Sequence, residues 1–314
     1  MMLPDTLRPL VLLFSLGMAA RPALAQNPLA APAPTVAGRA LFAGSLTPRL
    51  VARQFAFTEG PAVDKAGNIY FTDQPNDKIW KYDTSGKLSL FMSPAGRANG
   101  LYFDRQDNLL ACADGPNQLW AIAPTTKQVT VLAQRPKSSP FNGPNDVWVN
   151  PKTQGVYFTD PYYQREYWPA SHPGAGPQYV YCLAPGSATA VPLDTTLQKP
   201  NGLIGSPDGR LLYVADIEAG KTYRYRLGRQ GEVLDREVFV EQGSDGMTLD
   251  EQGNVYLTGK GVTIYNPAGQ QIAHLDVPGA WTANLCFGGK DLKTLFITAS
   301  EAVYTVPMRV RGIR

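Results

Sequence analysis

F-T-E-G-P-A-V-D-K-A-G-N-I-Y-F-T, residues 57–72, reads as strand, turn and strand within one short stretch. Pro61 to Asp64 form the first strand, Lys65-Ala66-Gly67-Asn68 the turn, and Ile69-Tyr70-Phe71-Thr72 the second strand, because Gly and Asn tolerate the turn while branched and aromatic residues favour the flanks. Two more strands follow at Ile79–Tyr82 and Leu88–Phe91, with Thr84-Ser85-Gly86 between them. Four strands in about 40 residues make one propeller blade. The plan repeats at Leu101–Phe103, Leu109–Cys112, Gln118–Ala121 and Val129–Leu132. A single blade cannot bury both of its faces, so stacking around an axis is the natural solution.

Working outward from this stretch, six segments share one register. They start at Glu59, Asn99, Asn145, Asn201, Asp245 and Asn284, and five residues later reach Asp64, Asp104, Asn150, Ser206, Asp250 and Gly289. The intervals between starts are 40, 46, 56, 44 and 39 residues. This predicts an all-β six-bladed β-propeller over residues 49–314, with five or seven blades as the alternatives. No stretch of the mature chain shows a helical period. The last repeat lacks its outer strand, which Leu50–Ala56 can supply, closing the ring and protecting the sheet edges.

Ahead of the repeats, residues 1–25 read as a signal peptide. Arg8 precedes an apolar run from Leu10 to Ala20, and Ala23-Leu24-Ala25 forms an A-x-A cleavage site before Gln26. The n-region is weak because Asp5 offsets Arg8. The chain is expected to be exported, periplasmic or secreted, with no membrane anchor after cleavage. Residues 26–48 are expected to be an Ala/Pro-rich lead-in, of which Gln26 to Gly38 reads as flexible. Cleavage would remove Arg8, Arg21 and Asp5 and take the formal charge from +3 to +2, which is too balanced for a nucleic-acid partner. The three cysteines, Cys112, Cys182 and Cys286, lie in apolar strand-like runs and read as buried free thiols, with one disulfide as the alternative. The sequence says nothing about oligomeric state.

If the first residue of each repeat opens the innermost strand, all six converge on one channel. One Glu, one Asp and four Asn are oxygen donors, the set of a hard cation, Ca²⁺ above all; Zn²⁺, Mg²⁺ or Mn²⁺ are possible substitutes. The chain has only two histidines, neither in the repeat register. Taken singly, each N-G or D-G pair reads as a turn. Glu59-Gly60-Pro61 occupies the same slot, however, and Glu is a poor turn former.

Four segments closely resemble those of the gluconolactonase/regucalcin (senescence marker protein) family: F-T-E-G-P (57–61), G-P-N-D-V (143–147), K-P-N-G-L (199–203) and S-D-G-M (244–247). N-L-C-F-G-G-K-D-L-K-T-L-F-I-T-A (284–299) looks like the last blade of the bacterial gluconolactonase branch. The resemblance spans about residues 50–306. It implies a six-bladed, calcium-binding hydrolase of a sugar lactone such as gluconolactone, with Glu59, Asn145, Asn201 and Asp245 as metal ligands, Asn145 matching a residue that in some relatives touches substrate more than metal. Asn99 and Asn284 then become pocket lining, and Asn142 a substrate contact. Asp146 either orients Asn145 or accepts backbone hydrogen bonds. The channel histidine of the more distant paraoxonase branch has no counterpart; the matching stretch is Cys112-Ala113-Asp114-Gly115. Arg97 is either a substrate contact or a surface residue.

Lactone hydrolysis needs a polarised carbonyl, an activated water and a stabilised oxyanion. Asp245 is the expected general base and Glu59 the second choice, with attack by a water held on the cation left open beside them. The longest interval places its surplus at Pro161–Gln178, where Tyr163 and Trp168 are expected to bind substrate at the channel mouth, an outer-surface decoration being the alternative. The rival functions are a phosphotriesterase or aliphatic lactonase on the same ring, a strictosidine synthase-like enzyme, and a non-catalytic sugar- or protein-binding propeller.

Overall fold

The computed structural model describes residues 33–136, 139–168 and 176–314. The expected signal peptide, the front of the lead-in and residues 169–175 of the Pro161–Gln178 stretch lie outside the described residues.

The chain is a six-bladed β-propeller. After α1 (Val36–Ala40) and β1 (Arg49–Arg53), blade one comprises β2 (Thr58–Val63), β3 (Ile69–Asp73), β4 (Lys78–Tyr82) and β5 (Leu88–Met92). Blade two is β6 (Ala98–Phe103), β7 (Leu109–Ala113), β8 (Gln118–Ile122) and β9 (Val129–Ala133). Blade three is β10 (Val147–Val149), β11 (Val156–Asp160), β12 (Tyr179–Leu183) and β13 (Val191–Asp194). Blade four is β14 (Pro200–Gly205), β15 (Leu211–Asp216), β16 (Lys221–Leu227) and β17 (Val233–Val240). Blade five is β18 (Met247–Leu249), β19 (Val255–Gly259), β20 (Gly261–Tyr265) and β21 (Gln271–Leu275). Blade six takes β22 (Thr282–Gly288), β23 (Thr294–Ala299) and β24 (Ala302–Pro307) from the end of the chain and β1 from its start. β1 runs antiparallel to β24, with Leu50 opposite Tyr304 and Arg53 opposite Ala302. The closure expected from Leu50–Ala56 therefore forms, three residues shorter at its C-terminal end and one longer at its N-terminal end.

The second register position explains the tight first turns. Asp64 Oδ1 accepts from the backbone N–H groups of Ala66 and Asn68 and its Oδ2 from Asn68 Nδ2. Asp104 and Asn108, and Asp250 and Asn254, repeat the device in blades two and five. A short acceptor at this point fixes the turn that brings the second strand back.

Blades pack through aromatic contacts across their interfaces: Tyr70 with Phe103 (ring centroids 5.2 Å apart), Phe71 with Phe296 (5.4 Å) and Tyr256 with Phe287 (5.4 Å). The three thiols are free; Cys112 and Cys286 are buried and Cys182 is half-buried.

One expectation changes. The described end of the stretch that reads as flexible, residues 33–38, is docked, as is the lead-in after it, and Val36–Ala40 form a short helix that no helical period in the sequence announces. Thr35 caps α1 by accepting from Gly38 N–H and donates its own N–H to the Ile272 carbonyl on blade five. Leu41 and Phe42 are buried in the core between blades five and six, with Phe42 bridged to Met308. The apolar pair Leu41-Phe42 outweighs the Ala/Pro bias in front of it, because about 25 cal/mol is recovered for each Å² of apolar surface buried.

Candidate active site

The six register residues do meet at the axis, and the reason is a local irregularity. Register slips fall between Glu59 and Ala62, Ala98 and Leu101, Pro200 and Leu203, and Thr282 and Asn284, so four of the six sit in bulged innermost strands. Asn145 and Asp245 lie two residues ahead of β10 and β18. A bulge turns a side chain out of the sheet plane, here towards the axis. Buried threonines on the second strands pin these segments. Thr72 Oγ1 donates to the Asn99 carbonyl, Thr159 Oγ1 accepts from Asp146 N–H, Thr258 Oγ1 from Gly246 N–H and Thr298 Oγ1 from Asn284 N–H.

The glycines that follow four ring residues serve close approach between blades. A Cβ on Gly60 would lie 2.2 Å from the Asn99 carbonyl oxygen, and one on Gly246 would lie 2.0 Å from Asn284 Cγ. Gly100 and Gly202 face the Asn145 and Asp245 carbonyls in the same way. The N-G and D-G pairs are thus contacts between neighbouring innermost strands, and no side chain fits there.

A cavity of about 290 Å³ opens above the ring, lined by Phe57, Glu59, Gln74, Asn99, Asn145, Tyr163, Arg165, Ile217, Asp245 and Trp281. Asn201 is 1% exposed and sits just beneath this wall; its Nδ2 donates to Tyr163 Oη and to Asp245 Oδ1, both at 2.8 Å. Asn201 Oδ1 is buried and has no hydrogen-bond partner among the described residues. Asp245 Oδ2 accepts from Trp281 Nε1 at 2.6 Å. Burial raises the Asp245 carboxyl to about 6, against the pull of the Trp281 and Asn201 hydrogen bonds and the Arg165 charge. Burial raises Glu59 well above the ordinary carboxylate range, the Asp245 charge adding to it, while the Gly60 N–H and Asn284 oppose.

Other expected residues sit elsewhere. Asn284 lines a small cavity of about 50 Å³ on the far side of the ring, together with Asp146, Leu203, Met247 and Ile313, and its side chain contacts both Glu59 and Asp146. Asn142 lies outside the lining of the larger cavity: its Nδ2 donates to the Asp160 and Pro177 carbonyls and its Oδ1 accepts from Gly176 N–H, which uses the side chain to brace the loop. Trp168 does not line the cavity either; it is buried behind the loop against Tyr162 and Tyr167. Asp146 accepts from Val147 and Leu203 N–H groups. Arg97 Nη1 donates to the Pro75 carbonyl and its guanidinium lies 4.2 Å from the Tyr167 ring centroid, outside the cavity lining.

Gln74, Arg165, Ile217 and Trp281 were not expected. Gln74 and Ile217 had a signal, since each follows the acid that ends a second strand, in I-Y-F-T-D-Q (69–74) and V-A-D-I (214–217). Trp281 and Arg165 lie in loops with no repeated register.

Among the described residues no three His, Cys, Asp or Glu side chains converge as a metal site. A cation here would therefore combine the Glu59 and Asp245 carboxylates with the amide oxygens of Asn145 and Asn201. Two buried carboxylates pushed towards protonation, beside an amide oxygen with no partner, fit a hard divalent ion.

Residues 57–301 match the SMP-30/gluconolactonase/LRE-like region. The chain is 29% identical over 298 residues to a gluconolactonase of Zymomonas mobilis, covering 84% of this chain and 82% of that one. A solved gluconolactonase from Xanthomonas campestris superposes with a TM-score of 0.78 at 25% identity, over 88% of this chain and 94% of that one. The calcium-binding protein regucalcin from Agrobacterium tumefaciens shares the fold, with a TM-score of 0.72 at 22% identity over 87% and 96% of the two chains.

Proposed function

Because this chain belongs to the SMP-30/gluconolactonase/LRE-like family, we propose that it hydrolyses a sugar lactone such as gluconolactone, with a divalent cation, Ca²⁺ first, in its central ring. The observation that carries this reading is the Asp245–Asn201 pair at the wall of the cavity. Each Asp245 oxygen has one side-chain donor, and Asn201 Oδ1 is left without any.

Glu59, Asn145, Asn201 and Asp245 would hold the cation, which when bound would polarise the lactone carbonyl and stabilise the oxyanion. Asp245 is the general base. Its hydrogen bonds to Trp281 and Asn201 fix the plane of the carboxylate, and its acidity lets it be ionised near neutral pH. It takes a proton from water as the water oxygen bonds to the carbonyl carbon. The ring C–O bond then breaks, and the proton passes to the departing ring oxygen, which leaves a hydroxy acid. Glu59 carries the second negative charge. Asn99 and Tyr163 bound the substrate, and Phe57, Ile217 and Trp281 keep water out of the rest of the cavity. We also propose that residues 1–25 direct export.

The experiment is hydrolysis of glucono-δ-lactone before and after EDTA treatment, with Ca²⁺ added back, alongside a phosphotriester and an alkyl lactone. Loss with EDTA and recovery with Ca²⁺ is the expected result. Turnover of the phosphotriester alone would overturn it.

A further inference from the structure

Asp114 stands at the channel mouth with its side chain 2% exposed. One of its oxygens, Oδ2, accepts from Gln74 Nε2 at 2.7 Å, from Arg165 Nε at 2.7 Å and from the Tyr167 hydroxyl at 2.5 Å. Gln74 comes from blade one and Asp114 from blade two, while Arg165 and Tyr167 lie in the loop between β11 and β12 of blade three. The first part of that loop is therefore tied to two other blades through Arg165 and Tyr167. Two residues before Arg165, Tyr163 Oη accepts from Asn201 Nδ2 of blade four. The Arg165 guanidinium carbon lies 5.3 Å from the Tyr163 ring centroid, and its side chain, 22% exposed, lines the same cavity as Glu59 and Asp245.

The hydrogen bonds of the described residues use only Nε of this guanidinium. Arginine's fork has five N–H donors, and holding one nitrogen on a buried carboxylate removes much of the ordering cost of using the others. The neighbouring walls offer Phe57, Ile217 and Trp281, so the cavity combines an apolar side with one fixed cationic donor. A site built to hydrogen-bond substrate hydroxyls discriminates strongly against analogues that lack them.

We infer that Arg165 is a substrate-binding residue that selects polyhydroxylated lactones over alkyl lactones, and that Asp114 is the positioning residue that aims it. This rests on the lactone reading above. Wild type and Arg165→Met are compared on glucono-δ-lactone and on δ-valerolactone, which has the same ring without hydroxyl groups. The expected result is a KM for the sugar lactone raised about tenfold or more, a smaller change in kcat, and an unmoved KM for δ-valerolactone. Equal effects on both lactones, or none on either, overturn the assignment. Arg165→Lys, which keeps the charge and loses the fork, recovers part of the KM. Asp114→Asn raises KM in the same direction by a smaller factor, with the melting temperature of each variant reporting on the fold. Calorimetric binding of 1,5-anhydro-D-glucitol, which has no carbonyl to hydrolyse, separates the two readings. Weaker binding to Arg165→Met supports the assignment even if wild type hydrolyses no lactone, in which case the hydrolase reading falls. Equal binding to both proteins overturns the assignment and leaves lactone hydrolysis standing.

Discussion

Asp245 and Asp146 are both buried carboxylates at the axis, on opposite sides of the same ring. Burial raises both, Asp245 to about 6 and Asp146 to about 7, so acidity alone does not tell them apart. Their partners do. Asp146 accepts from two backbone N–H groups, of Val147 and of Leu203 on the next blade, beside a small cavity lined mostly by apolar residues. Asp245 accepts from two side chains, Asn201 Nδ2 and Trp281 Nε1, and lines the larger cavity. A carboxylate held by backbone ties strands together. One held by side chains is oriented and still faces the cavity.

This contrast can be broken most sharply at Asp245. Asp245→Asn should lower kcat by about 10²- to 10⁴-fold while part of the cation affinity remains in direct binding measurements. Full activity with cation bound would remove Asp245 from the base role.

The cation should show the same asymmetry through pH. The folded Asp245 carboxyl lies at about 6 against an ordinary 3.8. Its contribution to stability is therefore fully present below about pH 4 and is lost as pH rises through 6. The cation-free protein should lose stability across that window, and added Ca²⁺ should raise the melting temperature more at pH 7 than at pH 5. An equal shift at both values would mean that the cation does not bind beside Asp245.

Asp146→Ala leaves the Val147 and Leu203 N–H groups without their acceptor. It should cost about 2 kcal/mol in urea unfolding and leave the acid limb of kcat/KM where it was. A moved limb would place Asp146 with the chemistry. Trp281→Phe should do the reverse on a smaller scale. It removes a donor that holds Asp245 down, so the acid limb should shift to higher pH by a fraction of a unit to about one unit, with little change in melting temperature.

Much of the fold was legible because blades repeat. The turn acceptors Asp64, Asp104 and Asp250 and the ring residues recur at fixed spacing, and each records a local requirement. The pocket was legible only in part. Glu59, Asn99, Asn145, Tyr163 and Asp245 line it, with Asn201 beneath. Asn142 and Trp168 share its loop region and brace that loop from behind, because an amide or an indole in a sequence carries no sign of which side of a loop it faces. Trp281 and Arg165 come from loops of two different blades and meet Asp245 and Asp114 only after the ring closes.

The sequence by itself determined the four-stranded repeat, a strand able to close the ring and the set of oxygen donors at the start of each repeat. These follow from strand periodicity and turn chemistry, which act over a few residues. Only the tertiary structure decided which donors share a cavity and which serve the scaffold. That division depends on the bulges at Glu59, Asn99 and Asn201 and on hydrogen bonds from neighbouring blades. Such contacts join residues dozens of positions apart, and they exist only once all six blades surround one axis.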